Sequence, residues 1–330
     1  MTHLAEQRRV LGHSTVSVTR LGLGCAALGG LFQHVAESGA QATIATALSS
    51  GIGYLDTAPQ YGHGVSERRL GRALAGRDRD SYVLSTKVGR LVHPRPGGPT
   101  GIFADGEPAD LVFDFSAAGI SRSLEASLDR LGLDRVDIAY IHDPDDHEEA
   151  ALDTAYGRLH ELREQGVVGA IGVGMNQSRI PTRFVRETDI DAVLLAGRWT
   201  LLDQSGAADL LPACVERGVS VVIGGVFNSG VLADPQAQAR YDYGVAPRPV
   251  VDRALRMQEV CERHGVPLKA AALAFAASHP AVATVLLGAR SADEVADGVD
   301  MFERDVPAAL WDELVHAGLL DSAYKPGALT

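Results

Sequence analysis

Gly53-Tyr54-Leu55-Asp56-Thr57-Ala58-Pro59-Gln60-Tyr61-Gly62-His63-Gly64 reads as a short buried strand that breaks into a turn. Pro59 removes a backbone donor, while Gly62 and Gly64 permit left-handed backbone that side chains resist. An amphipathic segment follows from Val65 to Ala75, with Val65, Leu70, Ala73 and Leu74 apolar and Glu67, Arg68, Arg69 and Arg72 polar. The stretch is therefore strand, loop, helix. It leaves a carboxylate at a strand end and a phenol a few residues on.

The same alternation runs outward in both directions. Strands are expected at 21–24, 54–57, 82–87, 136–142, 168–173, 192–195, 219–223 and 283–287, and helices at 40–50, 65–75, 117–131, 148–165, 178–187, 207–217, 250–264 and 292–302. Arg8 to Val18 reads as a small hairpin about a Gly/Ser turn. Eight βα units without a linker or composition break predict an α/β fold of the (β/α)8 TIM-barrel type, with an N-terminal β-hairpin and extra helices, over residues 1–330 as one domain. An open doubly wound sheet would show a Gly-rich fingerprint after its first strand, but in Leu21 to Gly30 Ala27 stands where the third glycine belongs. The stretch from Arg90 to Phe115 carries four of the 15 prolines and no clear period, so it is expected to cross one end of the barrel as a loop.

Composition narrows the partners. The 330 residues are 46% hydrophobic with a formal charge of −12. That balance, with no long Lys/Arg run, argues against a nucleic-acid or anionic-membrane surface, and its plain reading is solubility. Arg outnumbers Lys 27 to 3, so each Lys merits inspection. Cys25, Cys214 and Cys261 are far apart with no metal-ligand spacing, which points to a reducing compartment and no structural metal. No signal-type core opens the chain, and its longest apolar run, Ala270 to Ala277, is too short to span a bilayer; a cytoplasmic protein is expected.

In such a barrel the C-terminal strand ends share one site. Those ends offer Asp56, with Tyr61 in the loop after it, then Lys87 and His142. Singly, each has an ordinary structural reading: a turn former, an interface aromatic, a strand-end charge reaching solvent, a satisfied buried imidazole. Lys87 alone would also suit a Schiff-base aldolase.

Together the segments Gly53 to Gly62, Leu84-Ser85-Thr86-Lys87-Val88-Gly89 and Tyr140-Ile141-His142 resemble, in order and spacing, the signature segments of the aldo-keto reductase superfamily. The resemblance extends to Gly288-Ala289-Arg290-Ser291 and the last helices. It implies a catalytic tetrad of Asp56, Tyr61, Lys87 and His142. Moving a hydride between a nicotinamide and a carbonyl carbon needs a proton moved on the oxygen, hence a positioned acid/base. A free phenol titrates near ~10, and an adjacent Lys87 ammonium is expected to lower Tyr61 towards neutrality. Asp56 would hold Lys87, and His142 would orient the substrate oxygen.

The turn Gly288 to Glu294 opens a helix, where backbone N–H groups favour a phosphate, and Ser291-x-x-Glu294 is also a capping box. By the resemblance, NAD or NADP binds extended, with contacts expected from Cys25, Ala26, Asp56, Asn176, Phe227, Asn228, Ser229, Gly230, Leu232, Gly288, Arg290 and Glu294. Gly288 and the acidic Glu294 stand where NADP-preferring relatives carry basic residues, which favours NAD. Gly224 or Gly225 replaces the aromatic that many relatives stack on the nicotinamide. His142-Asp143-Pro144-Asp145-Asp146, Gly197 to Leu202, Asn228-Ser229-Gly230 and Trp311-Asp312-Glu313-Leu314 are most similar to the subgroup that oxidises aldoses at the anomeric carbon, of the L-fucose or D-threo-aldose type, giving a lactone. Enzymes that oxidise the pyridoxal hemiacetal lie beside it, and a general aldehyde/ketone reductase is the broader alternative. Phe32, Trp199, Gln33 to Ser38 and the 90–115 loop are expected to face the substrate, with Arg95, Asp105, Glu107 and Asp110 as hydroxyl partners against Phe103, Phe113 and Phe115.

Overall fold

Eight parallel strands close on themselves in a computed structural model that describes residues 3–236 and 239–327. They are β1 (Leu21–Gly24), β2 (Tyr54–Asp56), β3 (Val83–Val88), β4 (Ile138–His142), β5 (Ala170–Met175), β6 (Ala192–Ala196), β7 (Ser220–Gly224) and β8 (Val282–Gly288). Neighbours in sequence are neighbours in the sheet, and β8 returns to β1 through the pair Leu287 and Leu23. The structure is the expected (β/α)8 barrel with its leading hairpin and extra helices.

Strand alternation sends every second side chain inward. Tyr54, Ile138, Tyr140, Ala170, Ala192, Leu194, Val222, Ala283 and Leu286 fill the lumen, while Leu55, Leu84, Ile141, Val173 and Leu195 pack outward against helices. The same parity brings Asp56 above Tyr54, Lys87 above Ser85 and His142 above Tyr140, so three polar residues meet at one mouth.

The hairpin Arg8–Val10 with Ser17–Thr19 plugs the other end, adding Leu11 and Val18 to the lumen core. Gly12 makes this possible. Its φ is +51°, and a Cβ there would lie 2.3 Å from the backbone oxygen of Asp191.

Two expectations about elements are corrected. The shell helix between β7 and β8 is Leu268–Ala276, which packs on β8 with Leu268, Ala270, Ala271, Ala272, Leu273, Phe275 and Ala276 buried. The helix expected at 250–264 exists as Arg248–Arg263 but lies outside it, against Ala308–His316. A helix whose only charged residue is Lys269 and which is covered on both sides has no polar face, hence no period to read. The 90–115 stretch is not a plain loop: Arg90–Pro94 and Ala109–Phe113 form an antiparallel ribbon. Its tip is pinned beside the segment after β1, with Phe32 N–H donating to Ile102 O at 2.9 Å and Ala104 N–H to Gly30 O at 2.8 Å. A second ribbon, Arg240–Tyr241 with Gly244–Val245, stands in the connection after β7.

Gly12→Ala is expected to destabilise the chain by about 2–4 kcal/mol through a left-handed alanine and a backbone clash. Gly97→Ala, also at positive φ but with nothing within 4 Å, should cost about 1 kcal/mol. Urea denaturation of both variants measures the difference.

Candidate active site

A column of polar groups rises from the lumen to the mouth. Tyr54 Oη lies 3.3 Å from Tyr140 Oη and 3.0 Å from Ser85 Oγ, and Ser85 Oγ donates to Asp56 Oδ1 at 2.7 Å. Lys87 Nζ donates to Asp56 Oδ2 at 2.7 Å, to Thr57 O at 2.9 Å and to Tyr61 Oη at 3.2 Å. All three ammonium donors are thereby used. The Lys87 side chain is 2% exposed, so the reading of a strand-end charge reaching solvent does not hold.

Tyr61 caps the column from the loop after β2. Its phenol is held well above the ordinary value, first by burial and then by the Asp56 carboxylate. This corrects the expectation that Lys87 lowers it. The reason is burial, which penalises the phenolate, with the Asp56 carboxylate adding to it.

His142, at the end of β4, sets its ring edge-on to Tyr61 with centroids 6.2 Å apart. Burial, with Arg90 and Lys87 nearby, holds its pKa well below the ordinary histidine value, so the imidazole is neutral. Nδ1 has no partner among the described residues, and Nε2 lies 3.6 Å from Asp143 Oδ2. Arg90 bridges two loops here: Nη2 meets Asp143 Oδ2 at 2.6 Å and Nη1 meets Gln60 Oε1 at 2.5 Å. Arg90, Gln60 and Asp143 were not singled out from the sequence as site residues. Gln60 had only its place one residue before Tyr61 as a signal, whereas Arg90 opens the 90–115 stretch expected to face the substrate and Asp143 lies in the segment His142 to Asp146.

Aromatic rings surround this mouth. Phe103 of the long insertion packs on Tyr61, and Phe32 meets Tyr243 of the small ribbon while the Arg240 guanidinium covers Phe32. Tyr243 was not anticipated. Trp199, expected to face substrate, is fully buried against Phe275, His279 and Tyr324 and offers no surface to a ligand. The expected hydroxyl partners of the insertion are engaged elsewhere. Arg95 pairs with Asp110, Glu107 with Arg68, and Asp105 with Arg69, His34 and the Val35 N–H. Asp105 and Glu107 thus pin the insertion to neighbouring segments. Phe113 and Phe115 stack on each other and on His147.

The residues expected at a dinucleotide divide into two groups. Asn228, Ser229 and Gly230 adopt consecutive left-handed backbone after β7, beside a half-buried Phe227. Asn228 is buried, with Nδ2 donating to Gly197 O at 3.2 Å and Oδ1 lacking a partner among the described residues. Ala26 is half-buried and Asn176 exposed, just past the ends of β1 and β5. Gly288 is exposed, and a Cβ there or at Gly230 would meet open space. The orphaned acceptor and open glycines fit a nicotinamide dinucleotide laid along this rim. Cys25 and Leu232 do not fit: both are fully buried, and their backbone N–H groups are bonded to Asp56 O and Phe227 O. Ser291 Oγ caps the last barrel helix, Ala292–Glu303, by accepting from Glu294 N–H, and Glu294 turns back to accept from the Arg290 N–H at 2.9 Å while its other oxygen lies 3.4 Å from Arg290 Nε.

The family model described as the aldo/keto reductase family matches residues 20–317. A D-threo-aldose 1-dehydrogenase from Pseudomonas sp is 42% identical over 314 residues, covering 92% of this chain and 95% of its own. A pyridoxal 4-dehydrogenase from Microbacterium luteolum is 38% identical over 338 residues, covering 96% and 98%. Among solved structures, a glycerol dehydrogenase from Gluconobacter oxydans has a TM-score of 0.74 at 23% identity, covering 94% of this chain and 96% of its own. The holo form of an aldo-keto reductase from Bacillus halodurans has a TM-score of 0.73 at 26% identity, covering 98% and 100%. The chain belongs to the aldo/keto reductase family of oxidoreductases. Among its described residues, no helix is long and apolar enough to cross a membrane.

The neutral His142 has a consequence for stability. Below the free-histidine value of about 6.5 the unfolded chain binds a proton that the folded chain refuses, so stability falls as pH falls. His142→Asn should remove up to about 1.4 kcal/mol per pH unit of that slope. Urea denaturation of wild type and variant between pH 7.5 and 5.5 tests it.

Proposed function

We propose that this aldo/keto reductase is a nicotinamide-dependent aldose 1-dehydrogenase, oxidising the anomeric hydroxyl of a cyclic aldose to a lactone. The observation that carries the reading is the triple contact of Lys87 Nζ with Asp56, Thr57 O and Tyr61, with His142 edge-on to the same phenol. The relative that acts on D-threo-aldoses, at 42% identity, supports the substrate class.

When bound, the oxidised nicotinamide supplies the hydride acceptor. Asn228, Ser229 and Gly230 on one side and Gly288 and Arg290 on the other would hold its dinucleotide. Tyr61, first ionised by releasing its phenolic proton to solvent, takes the proton from the C1 hydroxyl as C1 gives up its hydride, leaving C1 doubly bonded to that oxygen. Lys87 stabilises that phenolate through its N–H to Oη, and Asp56 holds the ammonium aimed at it. His142, neutral, fixes the reacting oxygen by a hydrogen bond. Burial keeps Tyr61 a phenol in the free protein, and the positive charge of a bound oxidised nicotinamide would favour the phenolate.

NAD is the preferred cofactor in this reading. Glu294 pairs with Arg290 at 3.4 Å, and by the family resemblance it stands where NADP-preferring relatives carry a basic residue, which supports NAD. Pyridoxal is the second reading, favoured by the aromatic rim of Phe32, Phe103 and Tyr243 and by the 38% identical pyridoxal 4-dehydrogenase. The whole chain works as one catalytic domain, on a small molecule alone.

Initial rates with L-fucose, D-arabinose, L-galactose and pyridoxal, each with NAD and NADP, test the assignment. Turnover of the sugars is expected, and inactivity on all three overturns it. Tyr61→Phe should lose at least about 100-fold in kcat while nucleotide titration by fluorescence stays near wild type. Glu294→Gln should raise the NADP-to-NAD ratio of kcat/KM by up to about fivefold, the scale of one exposed charge interaction.

A further inference from the structure

Asp143 has features that neither barrel packing nor the tetrad explains. It follows His142 directly and stands in left-handed backbone at φ +39°, a conformation uncommon outside glycine though best tolerated by Asn and Asp. Its backbone N–H donates to Gly174 O at 3.0 Å, fixing the residue to the end of β5. No side-chain cap to a neighbouring N–H accounts for the carboxylate. Instead Oδ2 is gripped by Arg90 Nη2, whose other Nη is bound to Gln60 Oε1. Arg90 is itself largely buried, and so cannot swing away.

The grip leaves one oxygen unspent. Among the described residues Oδ1 accepts no hydrogen bond, and the side chain keeps 25% of its surface exposed at the mouth. A carboxylate oxygen with free lone pairs and access accepts from a hydroxyl without needing a donor of its own. Its position matters more. His142 Nε2 and Asp143 Oδ2 are 3.6 Å apart, so the carboxylate stands directly beside the imidazole that would orient the reacting oxygen. If His142 and Tyr61 hold the oxygen on the reacting carbon, the hydroxyl on the next carbon falls to Asp143.

We propose that Asp143, clamped by Arg90, accepts a hydrogen bond from the hydroxyl vicinal to the reacting carbon, so that the site selects cyclic hemiacetals bearing that hydroxyl. The inference rests on the aldose-oxidising reading and names its specificity-determining residue. It also assigns Arg90 as a positioning residue, acting through Asp143 and not on substrate. The pyridoxal hemiacetal has no hydroxyl on the carbon beside its reacting carbon and gains nothing from this contact.

Substrate pairs test it without relying on any variant. D-arabinose and L-galactose are each compared with their 2-deoxy analogues, at saturating NAD, in wild type, Asp143→Asn and Asp143→Ala. Wild type should prefer the 2-hydroxy member by about ten- to a hundredfold in kcat/KM, as for a hydrogen bond to a charged group. Asp143→Ala should bring that ratio close to one, and Asp143→Asn, whose amide oxygen still accepts, should keep part of it. Nucleotide titration checks that the variants are folded. Equal wild-type rates within each pair, or discrimination that survives in Asp143→Ala, overturns the inference while leaving the aldose reading standing. Absence of turnover on every aldose overturns that reading and the inference with it.

Discussion

The buried ion pair between Asp56 and Lys87 is the constraint on which the site depends. Two charges withdrawn from water are costly, and an apolar pair of similar volume would serve stability as well or better. The pair is tolerated because each remaining valence is met: Ser85 fills the second oxygen of Asp56, and Thr57 O takes a second ammonium proton. What is left of Lys87 is one N–H, and it points at Tyr61. Two charges are thus buried to present a single donor to a phenol. Such a device suits acid/base chemistry at that oxygen, and no fold requirement calls for it.

Around this fixed column the loops do the selecting. The insertion between β3 and the helix at 117–131 brings Phe103 over Tyr61, the segment after β1 brings Phe32, and the ribbon after β7 brings Tyr243. They are joined by contacts between loops, such as Asp105 with Arg69 and Arg198 with Asp242. Arg90 does the same closer in, tying Gln60 beside Tyr61 to Asp143 beside His142. In the proposed reading, rigid strand ends hold the reacting groups and cross-linked loops hold the wall that a substrate meets.

Much of this was legible before any coordinates. Alternating strand and helix segments gave the barrel, because each segment with one wet face carries a clear period. Parity along β2, β3 and β4 then put Asp56, Lys87 and His142 at one end. Leu268–Ala276 escaped because burial on both faces erases the period. Trp199 was misassigned because a large aromatic after a strand end looks the same in sequence whether it turns to the mouth or into the helical shell. Arg95, Asp105, Glu107 and Asp110 looked free because their partners lie up to tens of residues away. Tyr61 differs from its sequence-based expectation because the spacing of Asp56, Tyr61 and Lys87 does not reveal how deeply the phenol is buried.

The Tyr61 phenol is therefore the place to look. Ultraviolet difference titration of wild type against Tyr61→Phe isolates its phenolate band from the other tyrosines. Without nucleotide the phenol should ionise only above the ordinary value of about 10, and with saturating oxidised nucleotide it should ionise below it. A Tyr61 titration that oxidised nucleotide leaves in place would contradict the role assigned to this residue.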